Sequence, residues 1–167
     1  EKGSIEENEK ELINNVFEFN DIIASEIMTY RTDIYAIEIN EDVYELLNEI
    51  DEYKYSRIPV YEDTIDNIRG VLFIKDILKP VSMKKEIKIS EIMREAYFVP
   101  ETKPIDEIFE ELQDNKMQMA IVIDEYGGTA GLLTMEDILE ELVGNIFDEY
   151  DDVEIEYKKL DDNTYLI

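Results

Sequence analysis

Two stretches of the chain repeat apolar positions with helical spacing. Val43, Leu46, Leu47 and Ile50 fall at i, i+3, i+4 and i+7, and Ile105, Ile108, Phe109 and Leu112 repeat that pattern 62 residues later. Each predicts an amphipathic helix with one face toward a core. Each is followed by a short apolar run that reads as a strand, Ile58-Pro-Val-Tyr61 in the first case and Ala120-Ile-Val-Ile123 in the second. Beyond a turn, Gly70-Val-Leu-Phe-Ile-Lys-Asp76-Ile-Leu78 is matched 61 residues on by Gly131-Leu-Leu-Thr-Met-Glu-Asp137-Ile-Leu139. Upstream, Ile27-Met28 pairs with Ile92-Met93 at an offset of 65. The chain therefore contains an internal repeat, in which small insertions or deletions reconcile the offsets.

The repeating unit predicts strand, helix, strand, turn, strand, helix, an α/β (α+β) arrangement with two small mixed sheets flanked by helices. The turn Glu125-Tyr-Gly-Gly128 suits a tight connection because glycine tolerates positive φ. Pro80 is expected to stop the last helix of the first copy, and Lys84-Lys-Glu-Ile-Lys88 reads as the link between copies. A unit of about sixty residues is marginal alone, so the two copies are expected to pack as one pseudo-twofold body with Val43, Leu46, Leu47, Ile105, Ile108 and Phe109 buried. The expected division is a leading helix in 1–21, repeat 1 in 22–83, repeat 2 in 84–150, and the start of a further piece in 151–167. Leu12, Ile13, Val16 and Phe17 share one helical face of the leading segment, and Val153 to Tyr157 alternates like a strand. Both ends read as cut points in a longer protein.

Charge narrows the function. There are 43 Asp and Glu against 16 Lys and Arg, a net charge of −27, so nucleic acid is a poor partner. The absence of Cys and His removes disulfides, thiolate nucleophiles, Cys/His zinc sites and imidazole bases. No apolar run reaches the 18 or so residues needed to span a bilayer.

Thr134-Met-Glu-Asp137 opens a helix directly after a glycine-led strand and reads in two ways. Ser/Thr-x-x-Asp/Glu at a helix start is a capping box, with hydroxyl and carboxylate satisfying free backbone N–H groups. The repeat argues for a second use. The first copy keeps Asp76 but has Phe73 in place of the hydroxyl, and an acid at this place can accept hydrogen bonds from a ribose diol. Arg57 likewise reads either as a solvated strand-end arginine or as a phosphate fork in a cation-poor chain. Met117 and Met119 read as core filler or dimer surface.

These residues resemble a known family. The copies look like a tandem pair of CBS domains (a Bateman module), each with a form of the Gly-h-h-Thr-x-x-Asp signature at its second strand–helix junction. More narrowly, Glu26-Ile-Met-Thr-Tyr-Arg31, Tyr55-Ser-Arg-Ile-Pro-Val60, Val99-Pro-Glu-Thr102, Met119 to Gly128 and Thr134 to Gly144, running on into Asp148-Glu-Tyr-Asp151, resemble the CorC/HlyC-like and CNNM group of magnesium-transport proteins. The resemblance implies a regulatory module on the cytoplasmic face of a membrane. A transmembrane domain would precede it and a CorC/HlyC-type domain would follow. It also implies ATP, or AMP or ADP, bound with Mg²⁺ between the repeats, and a homodimer formed through the CBS modules.

Carried over position by position, the resemblance makes Asp137 the holder of the ribose hydroxyls and puts Thr134 near sugar or phosphates. Arg57 would pair with the phosphates, Ile58 and Pro59 after it would be among the nucleotide-binding residues, and Thr29 with the backbone of Asp33, Ile34 and Tyr35 would border the nucleotide. No protein ligand for Mg²⁺ is expected; the phosphates would carry the ion, near Glu136. Tyr30 stands where the family often has Pro, and Phe73 makes the first copy's own cleft a poor ribose site, so one nucleotide per chain is expected. The competing readings are a carboxylate-based Mg²⁺ phosphoesterase, which needs acids converging on one pocket, and a CBS pair that binds another adenosyl ligand or serves only as a dimerisation scaffold.

Overall fold

The computed structural model describes residues 9–10, 21–50 and 54–144. The expected helix bearing Leu12 to Phe17 and the expected strand Val153 to Tyr157 lie outside the described residues. In chain order the elements are α1 (Ala24–Ile27), β1 (Thr29–Tyr30), a 3₁₀ turn (Arg31–Asp33), β2 (Ile37–Glu38), α2 (Val43–Glu49), β3 (Arg57–Glu62), β4 (Thr64–Phe73), α3 (Ile74–Ser82), α4 (Ile89–Ile92), β5 (Phe98–Pro100), α5 (Ile105–Asp114), β6 (Met119–Ile123), β7 (Thr129–Thr134) and α6, residues 135–144. Both copies follow the expected β-α-β-β-α order, from β2 to α3 and from β5 to α6.

Each copy builds a small mixed sheet. β2 runs parallel to β3 and β5 parallel to β6, with α2 and α5 as crossovers, because a parallel pair cannot be joined by a tight turn. β3–β4 and β6–β7 are antiparallel hairpins. In the β6–β7 turn the Asp124 carboxylate accepts N–H groups of Tyr126 and Gly128, both at 2.9 Å, while Gly127 takes φ +81°. Asp42 caps α2 by accepting from the Tyr44 and Glu45 amides at 2.7 and 3.2 Å.

The apolar helix faces close two cores. Val43, Leu46, Ile58, Val60, Leu72 and Ile77 centre the first, and Ile105, Ile108, Leu112, Ala120, Val122 and Leu133 the second. Leu47 and Phe109 are half-buried and pack on the margins of these clusters, rather than inside them as expected. Helix α3 also differs from expectation. It runs through Pro80 and ends at Ser82. The proline forgoes one amide bond, but its carbonyl still accepts from the Met83 and Lys85 amides at 3.2 Å, which carries the last turn past it.

The two sheets exchange their leading segments. β1 pairs with β7, adding a strand from the front of the chain to the second sheet in the order β1-β7-β6-β5. Reciprocally, Arg94 exchanges both backbone bonds with Val71 of β4, at 2.8 and 2.9 Å. This exchange explains the glycine that opens each signature strand. A Cβ on Gly70 would stand 2.7 Å from the Arg94 carbonyl oxygen, and one on Gly131 would meet the Thr29 carbonyl oxygen and stand 2.6 Å from the Met28 sulfur. Only a hydrogen side chain lets the crossing segment lie so close.

Candidate functional site

The β7–α6 junction holds the tetrapeptide singled out from the sequence. The Thr134 amide donates to Asp137 Oδ2 at 3.0 Å, and the Asp137 amide donates to Thr134 Oγ1 at 3.2 Å. The capping arrangement is therefore present. It leaves half of the carboxylate in reserve, because among the described residues Asp137 Oδ1 has no hydrogen-bond partner.

Residues from the first repeat surround this junction. β1 sets Thr29 opposite Leu132 and Tyr30 opposite Gly131, and the 3₁₀ turn carrying Asp33 lies against β7. That turn is anchored by Arg31, whose Nη1 donates to Asp66 Oδ1 at 2.7 Å; the same oxygen accepts from the Thr129 amide at 3.1 Å. The Arg31 guanidinium and then the Thr129 amide hold the Asp66 carboxyl below the usual carboxylate range. The buried Thr129 hydroxyl donates to the Ile65 carbonyl at 2.7 Å, which ties β7 to the start of β4.

Arg57 reaches the junction from the opposite side. Its Nη2 donates to Glu136 Oε1 at 3.1 Å, an ion pair spanning 79 residues of sequence. The arginine side chain is 20 % exposed and its Nε is buried with no partner among the described residues, whereas Glu136 is 63 % exposed. The glutamate end is solvated, so the pair itself contributes little to stability. Thr29, Arg57, Thr134, Glu136 and Asp137 are thus brought near one junction built from both repeats, whereas the antiparallel register carries the turn with Asp33 towards the Thr129 end of β7. Ile58 and Pro59 are buried, and the Ile58 side chain belongs to the first core. Ile34 and Tyr35 are half-buried between the 3₁₀ turn and β2, where Tyr35 stacks on Tyr55 at 4.8 Å and 18°.

Two cations escaped the sequence reading. Lys75 shares with Arg57 a cavity of about 520 Å³ that also takes in Ser56, Phe73, Leu78 and Gln118. Its signal was present in the repeat, since residue 75 aligns with Glu136 at the same 61-residue offset. Arg94 is the other. Its Nε and Nη2 donate to Asp76 Oδ2 and Oδ1 at 2.8 and 3.0 Å, and its guanidinium lies 4.1 Å from the Phe73 ring centroid. That forked bond holds the Asp76 carboxyl below its ordinary range. Among the described residues no group of three acids is placed to hold a metal ion, and no helix is long and apolar enough to cross a membrane.

Two β-α-β-β-α units with exchanged leading strands, matched over residues 24–82 and 89–144 by the CBS domain model, place the chain in the CBS-domain family. Within that family it is a tandem pair of the kind found in CNNM/CorC magnesium-transport proteins. The chain is 42 % identical over 151 residues to the UPF0053 protein YugS of Bacillus subtilis, covering 90 % of this chain and 35 % of that protein. It thus spans about a third of the length of that relative. Among solved structures it resembles the CBS domain of the bacterial CNNM/CorC family Mg²⁺ transporter in complex with ATP, with a TM-score of 0.77 and 40 % identity over 82 % of this chain and 98 % of that one. It also resembles a CBS-domain pair with bound AMP from Klebsiella pneumoniae, at a TM-score of 0.65 and 34 % identity over 73 % and 98 % of the two chains.

Proposed function

We propose that this chain is the adenine-nucleotide-sensing module of a CorC-like magnesium or cation transport membrane protein, binding Mg-ATP at the β7–α6 junction. The observation that carries the reading is the junction's inventory of unused groups. Asp137 keeps a carboxylate oxygen for a ribose diol, and Arg57 holds a buried Nε donor, with no partner among the described residues, on the side where phosphates would lie. Two similar structures bind ATP and AMP in their own right, which supports the same ligand class here.

Charge assigns a part to the cation. A phosphate beside Glu136 and Asp137 meets two acids in a chain of net charge −27. Two unit charges at about 4 Å repel by roughly 4 kcal/mol at an effective dielectric near 20, enough to cancel one good phosphate contact. Magnesium on the phosphates removes that repulsion and frees Arg57 from Glu136 to meet them. The protein's own part is then to orient the sugar through Asp137 and the phosphates through Arg57. In the intact protein, the state of this junction would be passed to a membrane domain at the front of the chain, close in sequence to the Thr29 strand.

Calorimetric titration with ATP, AMP and S-adenosylmethionine, each with and without Mg²⁺, tests the reading. One ATP per chain with Mg²⁺-dependent affinity is expected. Silence with all three ligands would leave a scaffold, and ATP binding that is equally tight in chelator would remove the cation from the account.

A homodimer is the assembly proposed, and a pair of exposed apolar positions supports it. Leu78 on α3 and Leu139 on α6 occupy equivalent places in the two repeats and are 49 % and 42 % exposed. Single exposed leucines are ordinary, but a matched pair on the two carboxyl-terminal helices fits a self-complementary face around the pseudo-twofold axis. Light scattering at tens of micromolar is expected to give the mass of a homodimer, and Leu78→Glu with Leu139→Glu to give that of a monomer.

A further inference from the structure

The repeat makes the first cleft a counterpart of the second, residue for residue. Gly70 stands for Gly131, Phe73 for Thr134 and Asp76 for Asp137, each at an offset of 61, and the upstream offset of 65 sets Arg94 against Thr29. The backbone agrees with this alignment. Arg94 crosses β4 at Val71 as Thr29 crosses β7 at Leu132, and both crossings are permitted by the neighbouring glycine.

We infer that Arg94 is a built-in occupant of the first cleft and, with Phe73, the residue that limits the chain to one nucleotide. The inference rests on the proposed nucleotide site at Asp137 only for the class of ligand. In the second cleft the crossing segment contributes a small neutral hydroxyl, and the acid keeps a free oxygen. In the first it contributes a guanidinium bonded to both oxygens of Asp76, so neither remains for a ribose diol. Phe73 supplies the platform on which that guanidinium stacks, where the second cleft has a threonine hydroxyl. The space left beside them is a cavity of about 290 Å³ reached by Val71, Lys116, Met117 and Met119, at the bottom of the range of roughly 300–1,000 Å³ that ligand pockets occupy. The side chain of Arg94 can be removed without removing the strand, because its backbone is held to Val71 by two bonds of its own.

The test opens the first cleft with Phe73→Thr and Arg94→Thr together in an Asp137→Ala background, so that any nucleotide gained is not in the second cleft. Methyl resonances of Met117 and Met119, which line the first cleft, report occupancy directly. With Mg-ATP added to millimolar concentration, these signals are expected to shift in the opened variant. They should stay still in the Asp137→Ala parent, and fall still again when Asp76→Ala is added. Calorimetry on the Phe73→Thr/Arg94→Thr variant with Asp137 intact is expected to give two sites per chain against one in the wild type. Should the double change unfold the protein, Arg94→Thr alone is read by the same methyl signals, and a partial shift is expected.

An opened, folded variant whose Met117 and Met119 signals ignore ATP, and whose stoichiometry equals that of the wild type, would overturn the inference. A wild type that binds no nucleotide while the opened variant binds one would overturn the proposed site at Asp137 and leave Arg94 as the plug.

Discussion

Alanine at Asp137 should weaken ATP binding about ten- to a hundredfold, and alanine at Arg57 should do the same, while alanine at Asp76 leaves affinity unchanged. Losing a hydrogen-bonded charged partner costs about 1.5–3 kcal/mol, which is roughly that range in affinity. The three residues separate because their present partners differ. Asp137 gives one oxygen to the Thr134 amide and retains the other; Arg57 gives one nitrogen to a solvated glutamate and retains a buried Nε; Asp76 has both oxygens on Arg94. Asp137→Ala also removes half of a helix cap, a loss of about 0.5–2 kcal/mol in stability, so its melting curve without ligand must be measured beside the titration. Asp137→Asn separates the two effects, because the amide oxygen can still accept from Thr134 while the negative charge is gone. Arg57→Ala needs less correction, since the Glu136 end of its ion pair is largely in water. Wild-type affinity in the Asp137→Ala protein would return Thr134-x-x-Asp137 to the role of a cap alone.

What could be read beforehand divides according to how far apart in sequence the partners lie. Helices α2 and α5 and strands β3, β6 and β7 were legible because their apolar periods lie within a dozen residues and the repeat states each twice. The capping pair Thr134 and Asp137 was legible for the same reason. The exchange of β1 was not, since a strand of two residues carries no period and its partner Gly131–Leu132 lies over a hundred residues away. The Arg57–Glu136 pair and the Arg94–Asp76 fork depend on that arrangement, and no local pattern encodes either. Arg94 follows Met93 as Thr29 follows Met28, so the repeat alignment alone would have set an arginine opposite a threonine. Its meaning required knowing that the leading segment of one repeat lies on the sheet of the other. Pro80 misled for the opposite reason: the local rule that proline ends helices ignored that α3 had only two further residues to run.

The same exchange predicts how the protein loses its structure. Ile108→Ala in the second core and Leu46→Ala in the first should each lower stability by about 2–5 kcal/mol, because both side chains are fully buried and each deletion leaves a cavity. For a chain of this size that is a fall of roughly 4–20 °C in melting temperature. The more telling result is the shape of the transition. Two cores of some sixty residues joined by a linker would melt separately, and damage to one would leave the other where it was. Here β1 of the first half is a strand of the second sheet, Arg94 of the second half is bonded to the first, and Asp66 and Ile65 of β4 hold Thr129 of β7. Neither core can open without breaking bonds that complete the other. Calorimetric scans of both variants should therefore show one transition, displaced as a whole, with calorimetric and van't Hoff enthalpies in agreement. If Leu46→Ala split the scan into two peaks, with the upper one at the wild-type temperature, the cores would be independent and the exchanged strands would be decoration on two separate folds.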